Sequence, residues 1–300
     1  MDLLDIVLHY DCNLKCTYCT CAGSRRQQPG LSGAVACQHI DRAARAGCTA
    51  LSLTGGEPTL RSDLLGLIRY ARDRGFRDIK VQTNGLVFAE PANLSRACEA
   101  GLTRVGLSVH GHTGGQGADY ARITRSDAAT HTLFLKAVEN LVQSGVHLAA
   151  DLIVMRETVA GLRDGLSDLH ARGIDTFRLW LVSLTDDNRD NVETLLAMSE
   201  SLPAVRACLD YGRERGIQVE SLHIPRCLLP GYEAQVAHPG VGLDVHVVTP
   251  EAFFQLSESR LSGGHKPAAC RQCVYDADCP GLRPDYVERF GDAALSPIQG

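Results

Sequence analysis

The chain has 300 residues, of which 44% are hydrophobic and 22% charged, and its formal net charge is -5. These values are typical of a folded globular protein and exclude a disordered one. The net negative charge argues against electrostatic binding to nucleic acid. No apolar run approaches the ~20 residues of a membrane-spanning helix. Residues 1–5 lack the basic start of a signal peptide, so we expect a cytoplasmic protein.

The first two-thirds of the chain alternates short apolar runs with longer amphipathic ones. The apolar runs predict strands over 3–10, 50–54, 79–83, 104–109, 146–155 and 176–182. The amphipathic runs predict helices over 32–46, with Ser32 as N-cap and Gly47 as the stop, and over 60–74, 93–100, 128–144, 162–171 and 191–215. Pro203 is expected to interrupt the last helix.

Six strand–helix units in succession predict an α/β fold with a parallel sheet. The sheet is either a partial (β/α)6 TIM-like barrel or an open doubly wound sheet. In both cases the functional residues are expected at the carboxyl ends of the strands.

The composition changes at about residue 217, after which prolines recur. Residues 243–249 and 252–256 predict a hairpin across Pro250 and Glu251. Three clustered cysteines follow. We therefore expect a barrel over residues 1–216 and a smaller C-terminal unit around a metal site over residues 217–300.

Cysteines are concentrated near the two ends of the chain. Cys12, Cys16 and Cys19 form a CxxxCxxC run directly after the first predicted strand. Three soft thiolates suit an iron–sulfur cluster, and in a four-iron cluster they leave one iron open to a ligand. A zinc site with Cys21 as the fourth ligand is the alternative.

A second signal, Gly55-Gly56-Glu57-Pro58, follows the next predicted strand. The two glycines allow the backbone to approach a ligand closely, and Glu57 offers a carboxylate to an ammonium group. With the CxxxCxxC run before it, this segment resembles the radical S-adenosylmethionine (SAM) superfamily, and the resemblance extends over residues 3–182.

The resemblance implies that Cys12, Cys16 and Cys19 hold a [4Fe–4S] cluster whose open iron binds the methionine part of SAM. The residues implied to contact SAM are Tyr18 at the adenine, Gly55, Gly56 and Glu57 at the amino group, Thr83, Asn84 and Ser108 at the ribose and methionine parts, and Arg122 or else Arg125 at the carboxylate. The implied chemistry is reductive cleavage of SAM to a 5′-deoxyadenosyl radical, which removes hydrogen from an unactivated carbon. A one-electron reductant such as flavodoxin or ferredoxin is the implied partner.

A second cysteine group lies near the C-terminus, where Cys270, Cys273 and Cys279 form a CxxCxxxxxC run. With Cys227 as fourth ligand they suit a second [4Fe–4S] cluster, and zinc is the alternative. The stretch resembles the shortened auxiliary-cluster regions, of the SPASM or Twitch type, found in radical SAM peptide maturases and antibiotic-pathway enzymes.

Four residues are candidates for contact with the substrate or for transfer of a proton or hydrogen atom. Asp151 lies in an apolar strand, where a buried acid without a functional role is costly. Asp151 and His110, which follows the fourth strand, are candidate substrate contacts or bases. Cys21 and Cys227 are candidate hydrogen donors.

The resemblance extends to aminoglycoside epimerases of antibiotic pathways. It implies a small polyol or aminosugar substrate, with epimerisation favoured over dehydrogenation. A peptide maturase that forms thioether or carbon–carbon crosslinks is the alternative enzyme. An iron–sulfur or zinc scaffold protein is the non-enzymatic alternative.

Overall fold

A computed structural model describes residues 1–21, 23–111, 117–238, 240–259 and 262–299. Within these residues ten strands join into one sheet. The strands are β1 (Leu3–Val7), β2 (Ala50–Thr54), β3 (Asp78–Thr83), β4 (Arg104–Val109), β5 (His147–Val154), β6 (Thr176–Leu181), β7 (Gln218–Leu222), β8 (Val236–Ala237), β9 (Val245–Val248) and β10 (Phe253–Gln255). The α-helices of the described chain are α1 (Gly33–Arg45), α2 (Leu64–Asp73), α3 (Pro91–Ala100), α4 (Ala118–Thr124), α5 (Ala128–Ser144), α6 (Leu162–Ala171), α7 (Met198–Arg215) and α8 (Pro284–Phe290).

The strands β1 to β6 follow one another across the sheet in chain order, and every neighbouring pair is parallel. At least one helix lies between each strand and the next. This is the arrangement of a partial TIM-like barrel, and the α/β prediction is confirmed. The carboxyl ends of these strands therefore meet at one end of the barrel.

The hydrophobic core lies between the sheet and its helices. In β3, Ile79 and Val81 are buried in this core, whereas Lys80 and Gln82 alternate with them and are half-buried. Because successive side chains of a strand point to opposite faces, Lys80 and Gln82 face the inside of the barrel. The inner surface of the barrel is therefore partly polar.

Ser32 and Gly47 bound α1 as predicted, whereas α2 begins at Leu64 and not at residue 60, and α7 begins at Met198 and not at residue 191. The Ser32 hydroxyl accepts a hydrogen bond from the Val35 N–H at 3.2 Å and caps α1, and Gly47 follows the helix with a φ of +79°. The predicted interruption at Pro203 is wrong, because α7 continues through it. The proline removes one backbone hydrogen bond, and the burial of residues such as Val205 and Leu209 keeps the helix intact. No helix in the described residues is long and apolar enough to cross a bilayer.

Strands from the last third of the chain extend both edges of the sheet. At one edge β7 pairs with β6, and β8 pairs with β7. At the other edge β9 lies parallel to β1, and β10 turns back antiparallel to β9. The predicted hairpin across Pro250 and Glu251 is confirmed. Strands from both predicted units, residues 1–216 and residues 217–300, therefore belong to one sheet.

Candidate active site

A cavity of about 280 Å³, the smaller cavity, opens at the carboxyl ends of the strands. Most of the sequence-predicted site residues line it: Cys12, Cys16, Tyr18, Cys19, Cys21, Gly55, Gly56, Thr83, Asn84, Ser108 and His110. They come from the carboxyl ends of β3 and β4 and from the segments that follow β1 to β4. The parallel topology thus brings together residues that lie far apart in the sequence.

The thiols of the CxxxCxxC loop are half-buried at the wall of this cavity. The Leu14 N–H donates to Cys12 Sγ at 3.3 Å, and the Cys21 N–H donates to Cys19 Sγ at 3.4 Å. Burial raises the pKa of Cys12 and of Cys16, so neither is a thiolate near pH 7 without a bound cation. No three His, Cys, Asp or Glu side chains of the described chain converge on a single metal ion. A [4Fe–4S] cluster does not require this, because each thiolate binds a different iron.

The two glycines after β2 permit close contact between two loops. Gly55 has a φ of +146°, and a Cβ there would lie 2.3 Å from the His9 carbonyl oxygen. A Cβ on Gly56 would lie 2.2 Å from the Asp11 carbonyl oxygen. The Gly56 N–H donates to the His9 carbonyl at 2.7 Å, which ties this loop to the segment that carries the cysteines. A side chain at either glycine would force the loops apart.

Glu57 is fully buried and does not line the smaller cavity. One carboxylate oxygen accepts from the Thr59 N–H at 3.0 Å and from the Thr59 and Thr83 hydroxyls at 2.5 and 2.7 Å. The other accepts from the Asn84 N–H at 2.7 Å. Burial raises the pKa of Glu57, and these donors oppose the rise. The carboxylate predicted to meet the SAM amino group is thus bonded to four donors of the protein.

Tyr18 and His110 form a polar contact in the wall of the smaller cavity. The Tyr18 hydroxyl lies 2.6 Å from His110 Nδ1, and Cys16 Sγ lies 3.7 Å from the same nitrogen. Burial lowers the pKa of His110 to about 4, so its imidazole is neutral near pH 7. A group with so low a pKa is a weak base.

Asn84 joins the loop after β3 to the cysteine loop. Its Nδ2 donates to Asn13 Oδ1 at 2.8 Å and lies 3.8 Å from Cys12 Sγ. The backbone of the same residue is held by Glu57. One residue therefore fixes the distance between two walls of the cavity.

Asp151, predicted to contact substrate or SAM, lies beneath the smaller cavity and does not line it. It is 4% exposed. Its Oδ1 lies 2.7 Å from Arg178 Nε, and its Oδ2 accepts from Gln82 Nε2 at 2.8 Å. The Arg178 N–H is not aligned with the oxygen, so this contact is an ion pair and not a hydrogen bond. These partners occupy both carboxylate oxygens, and Asp151 is connected to the cavity through Gln82, which lines it.

Arg122, predicted at the SAM carboxylate, lies on α4 and does not line the smaller cavity. Its side chain is half exposed and pairs with Glu157 and, at 3.3 Å, with Asp119. Glu157 also accepts a hydrogen bond from the Thr17 hydroxyl at 3.0 Å. Arg122 therefore links α4 to the cysteine loop through Glu157. The alternative residue, Arg125, is exposed.

A larger cavity of about 610 Å³ adjoins the smaller one. The two cavities share Thr20, Cys21, Thr54 and Gly55. The charged residues that line the larger cavity are Asp5, Arg25, Asp186, Arg189 and Glu251. The Tyr10 hydroxyl donates to Glu251 at 2.6 Å, and Arg25 pairs with Asp186 at 2.6 Å. The volume suits a small molecule.

Cys21 is the N-terminal cysteine that lines both cavities. Its thiol is half-buried, and burial raises its pKa to about 11. The thiol therefore keeps its hydrogen near pH 7. The Cys21 S–H group therefore lies at the boundary between the smaller and the larger cavity.

The four cysteines of the predicted second site line one small pocket: Cys227, Cys270, Cys273 and Cys279. Cys227 comes from a 3-10 turn, Arg226–Leu228, and the other three lie later in the chain. The Gly281 N–H donates to Cys279 Sγ at 3.4 Å. Burial, together with the nearby Cys279, raises the pKa of Cys227. Cys227 lines neither the smaller nor the larger cavity, so it is not placed to serve as a hydrogen donor.

The family model described as Radical SAM superfamily matches residues 6–164. The chain belongs to the radical SAM superfamily. Members of this superfamily use a [4Fe–4S] cluster and SAM. The match covers the CxxxCxxC run, the paired glycines, the end of β1 and the strands β2 to β5.

Proteins related in sequence match parts of this chain. A Sulfurisphaera tokodaii protein named probable GTP 3′,8-cyclase is 26% identical over 242 residues, covering 79% of this chain and 72% of that protein. A Metallosphaera sedula protein of the same name is 36% identical over 118 residues, covering 37% of this chain and 34% of that protein.

Among solved structures, native anSMEcpe with bound AdoMet and Kp18Cys peptide has a TM-score of 0.68 at 16% identity, covering 99% of this chain and 93% of that one. Streptococcus suis SuiB bound to precursor peptide SuiA has a TM-score of 0.68 at 13% identity, covering 99% of this chain and 74% of that one. At these identities the similarity shows the fold alone.

The residues around the smaller cavity fit the groups that radical SAM proteins bind. Three half-buried thiols from one loop are soft ligands of the kind that iron–sulfur clusters require. Backbone N–H groups lie against two of the sulfurs. The paired glycines leave the adjoining wall free of side chains.

Sequence reasoning missed Gln82 and the five charged residues of the larger cavity, Asp5, Arg25, Asp186, Arg189 and Glu251. The sequence does contain a pattern that predicts the position of Gln82. This residue alternates with the apolar residues of β3 and therefore faces the inside of the barrel. The five charged residues belong to no motif, and nothing in their spacing along the chain indicates a shared cavity.

Proposed function

We propose that this chain cleaves SAM reductively, removes a hydrogen atom from a small polyhydroxylated amine, and returns a hydrogen atom from Cys21 to the opposite face of the same carbon. The position of Cys21 carries the proposal, because it lines the larger cavity as well as the smaller one and its thiol is therefore within reach of a substrate bound there. Return of hydrogen to the opposite face requires the reacting carbon to lie between this thiol and SAM. In this arrangement SAM lies in the smaller cavity and the substrate in the larger one. The cluster and SAM, when bound, supply a 5′-deoxyadenosyl radical as the hydrogen abstractor.

The protein would supply ligands, positions and one hydrogen atom. Cys12, Cys16 and Cys19 would hold the cluster, and the walls of the smaller cavity would orient SAM. One C–H bond of the substrate breaks, and a new one forms as the S–H bond of Cys21 breaks. One electron from a reductant such as flavodoxin or ferredoxin and one proton then restore the thiol.

The charges of the larger cavity support a cationic substrate. Three acidic residues and two arginines line it; Asp186 pairs with Arg25, and burial raises the pKa of Asp5. Glu251 is therefore the carboxylate of this cavity that is left to meet a cation, whereas GTP, which the names of the relatives mention, would bring several further negative charges to it. An aminosugar offers ammonium groups to carboxylates such as Glu251, as well as hydroxyls to the other polar groups.

We also propose that Cys227, Cys270, Cys273 and Cys279 hold a second [4Fe–4S] cluster. The support is that four thiols from two separate segments line one pocket. Arg226 and Lys266 line the same pocket with Asp276, which pairs with Lys266 at 2.7 Å, and the remaining positive charge favours a negatively charged thiolate cluster.

Anaerobic turnover in deuterated water tests the proposed reaction. Reconstituted protein is incubated with SAM, a reductant and a panel of aminoglycosides, and the products are read by mass spectrometry. We expect deoxyadenosine and a sugar with one new carbon-bound deuterium, because the S–H of Cys21 exchanges with solvent. Cys21→Ser is expected to retain deoxyadenosine formation and lose the epimerised product. Cys98→Ser, which alters a half-buried thiol of α3, is the control and keeps both.

Two results would contradict the proposal in different ways. A product lighter by two hydrogens would show dehydrogenation and remove the donor role of Cys21. Turnover of a cysteine-containing peptide or of GTP, with every sugar unchanged, would replace the substrate class.

A further inference from the structure

Gln82 lies inside the barrel where β3 meets β4, and it lines the smaller cavity. The register of the two strands pairs it with Gly106. A Cβ on Gly106 would lie 2.1 Å from Gln82 Oε1. The side-chain amide therefore rests against the bare backbone of Gly106, in a space that a larger residue would fill.

Two neighbours fix the nitrogen of this amide. Gln82 Nε2 donates to Asp151 Oδ2 at 2.8 Å and to Ser108 Oγ at 3.2 Å. Both hydrogens of the NH2 group are then used. The Asp151 carboxylate accepts hydrogen bonds and does not donate them, so turning the amide over would bring two acceptor oxygens together.

Asp151 is in turn held by a cation. Arg178 Nε lies 2.7 Å from its other oxygen, and the carboxylate is almost fully buried. Gln82, Asp151 and Arg178 stand on β3, β5 and β6, so the orientation of one amide depends on three strands. A buried pair of opposite charges resists the loss of either partner.

The amide oxygen is the group that remains for a ligand. Among the residues that the structure describes, the hydrogen bonds of the Gln82 side chain run through its nitrogen. We propose that Gln82 Oε1 accepts a hydrogen bond from a hydroxyl or ammonium group of SAM in the smaller cavity. Asp151 and Arg178 are positioning residues that keep this oxygen toward the ligand. The inference deepens the proposed function, because it takes SAM as the ligand of this cavity, and it does not depend on the substrate.

Gly106→Ala tests the inference without changing any charge. The added Cβ displaces the end of a flexible side chain, so the fold is expected to survive. The Kd of SAM is measured by calorimetry in reconstituted protein without substrate. We expect it to rise about 3-fold or more, the effect of losing one hydrogen bond to SAM. Gln82→Met removes the acceptor at similar size and is expected to give the same rise.

Gly66→Ala is the matched control. Gly66 lies on α2, and a methyl group added there would have nothing within 4 Å, so the SAM Kd is expected to stay unchanged. An unchanged Kd in both Gly106→Ala and Gln82→Met would overturn the inference. If the wild-type protein forms no sugar product while these variants bind SAM more weakly, the proposed substrate fails and the inference stands.

A double variant tests the positioning role of Asp151. Asp151→Asn offers an NH2 group to Gln82 and permits the amide to turn over, so it is expected to raise the SAM Kd. Combined with Gly106→Ala it is expected to raise the Kd no further, because both changes act through the same amide. Fully additive effects would show that Asp151 acts by another route and would overturn its positioning role.

Discussion

The buried carboxylate of Glu57 gives a prediction that separates a scaffold role from a ligand role. Its oxygens accept four hydrogen bonds, from Thr59, Thr83 and Asn84, and the residue is 0% exposed. Glu57→Ala would leave these donors without an acceptor. The two hydroxyls can rotate toward other acceptors, but the backbone N–H groups of Thr59 and Asn84 cannot.

The expected loss of stability follows from those two N–H groups. Each buried donor without a partner costs about 1–3 kcal/mol, so together they cost about 2–6 kcal/mol. An unfolding entropy of about 2.1 cal/mol/K per residue amounts to roughly 0.6 kcal/mol/K for this chain. The Tm is therefore expected to fall by about 3–10 °C.

The measurement is thermal unfolding, followed by circular dichroism, of protein without cluster or SAM. Glu57→Gln keeps the size and one acceptor oxygen and is expected to lose less stability than Glu57→Ala. If the Tm of Glu57→Ala equals that of the wild type while its affinity for SAM falls, the carboxylate is a ligand for SAM and the scaffold argument is wrong.

Three further predictions concern other parts of the molecule. Glu251→Gln is expected to raise the KM of an aminoglycoside about 10-fold or more, because a charged hydrogen-bond acceptor is lost. The Kd of SAM is expected to stay constant. An unchanged KM would show that Glu251 does not contact the substrate. Cys273→Ser is expected to lower the iron content of reconstituted protein from about eight to about four per chain, and an unchanged iron content would contradict a second cluster. Burial lowers the pKa of His238 to about 4, below the 6.5 of an unfolded chain, so this residue contributes stability above pH 6.5 that is lost as the pH falls toward 4. In His238→Gln, the free energy of unfolding measured with urea is expected to fall less between pH 6.5 and pH 4 than in the wild type. An equal fall in both proteins would refute this role of His238.

The fold was predictable because its signals are local. The alternation of apolar and amphipathic runs locates six strands, and caps such as Ser32 locate helix ends. The pairing of β9 with β1 was not predictable, because no local pattern indicates which strand will lie at an open edge. Pro203 misled the prediction because propensity describes an isolated helix, whereas α7 is stabilised by packing.

The candidate site was predictable where a motif and a strand end coincide. Cys12, Cys16 and Cys19 line the cavity, as their place after β1 requires. The pairing of Asp151 with Arg178 was not predictable, because Arg178 stands on the next strand and no spacing rule links the two residues. The larger cavity could not be foreseen, since its charged residues meet only after the barrel has formed.

The place of β9 also affects how the chain can fold during its synthesis. One edge of β1 pairs with β2, which follows soon in the chain, and the other edge pairs with β9, which the ribosome adds much later. Contacts between segments so far apart form slowly. Until residues 245–248 leave the ribosome, the N–H and C=O groups along one side of β1 stay free to pair with another strand. Nascent chains that pause before this point are therefore expected to aggregate more readily than chains that have passed it.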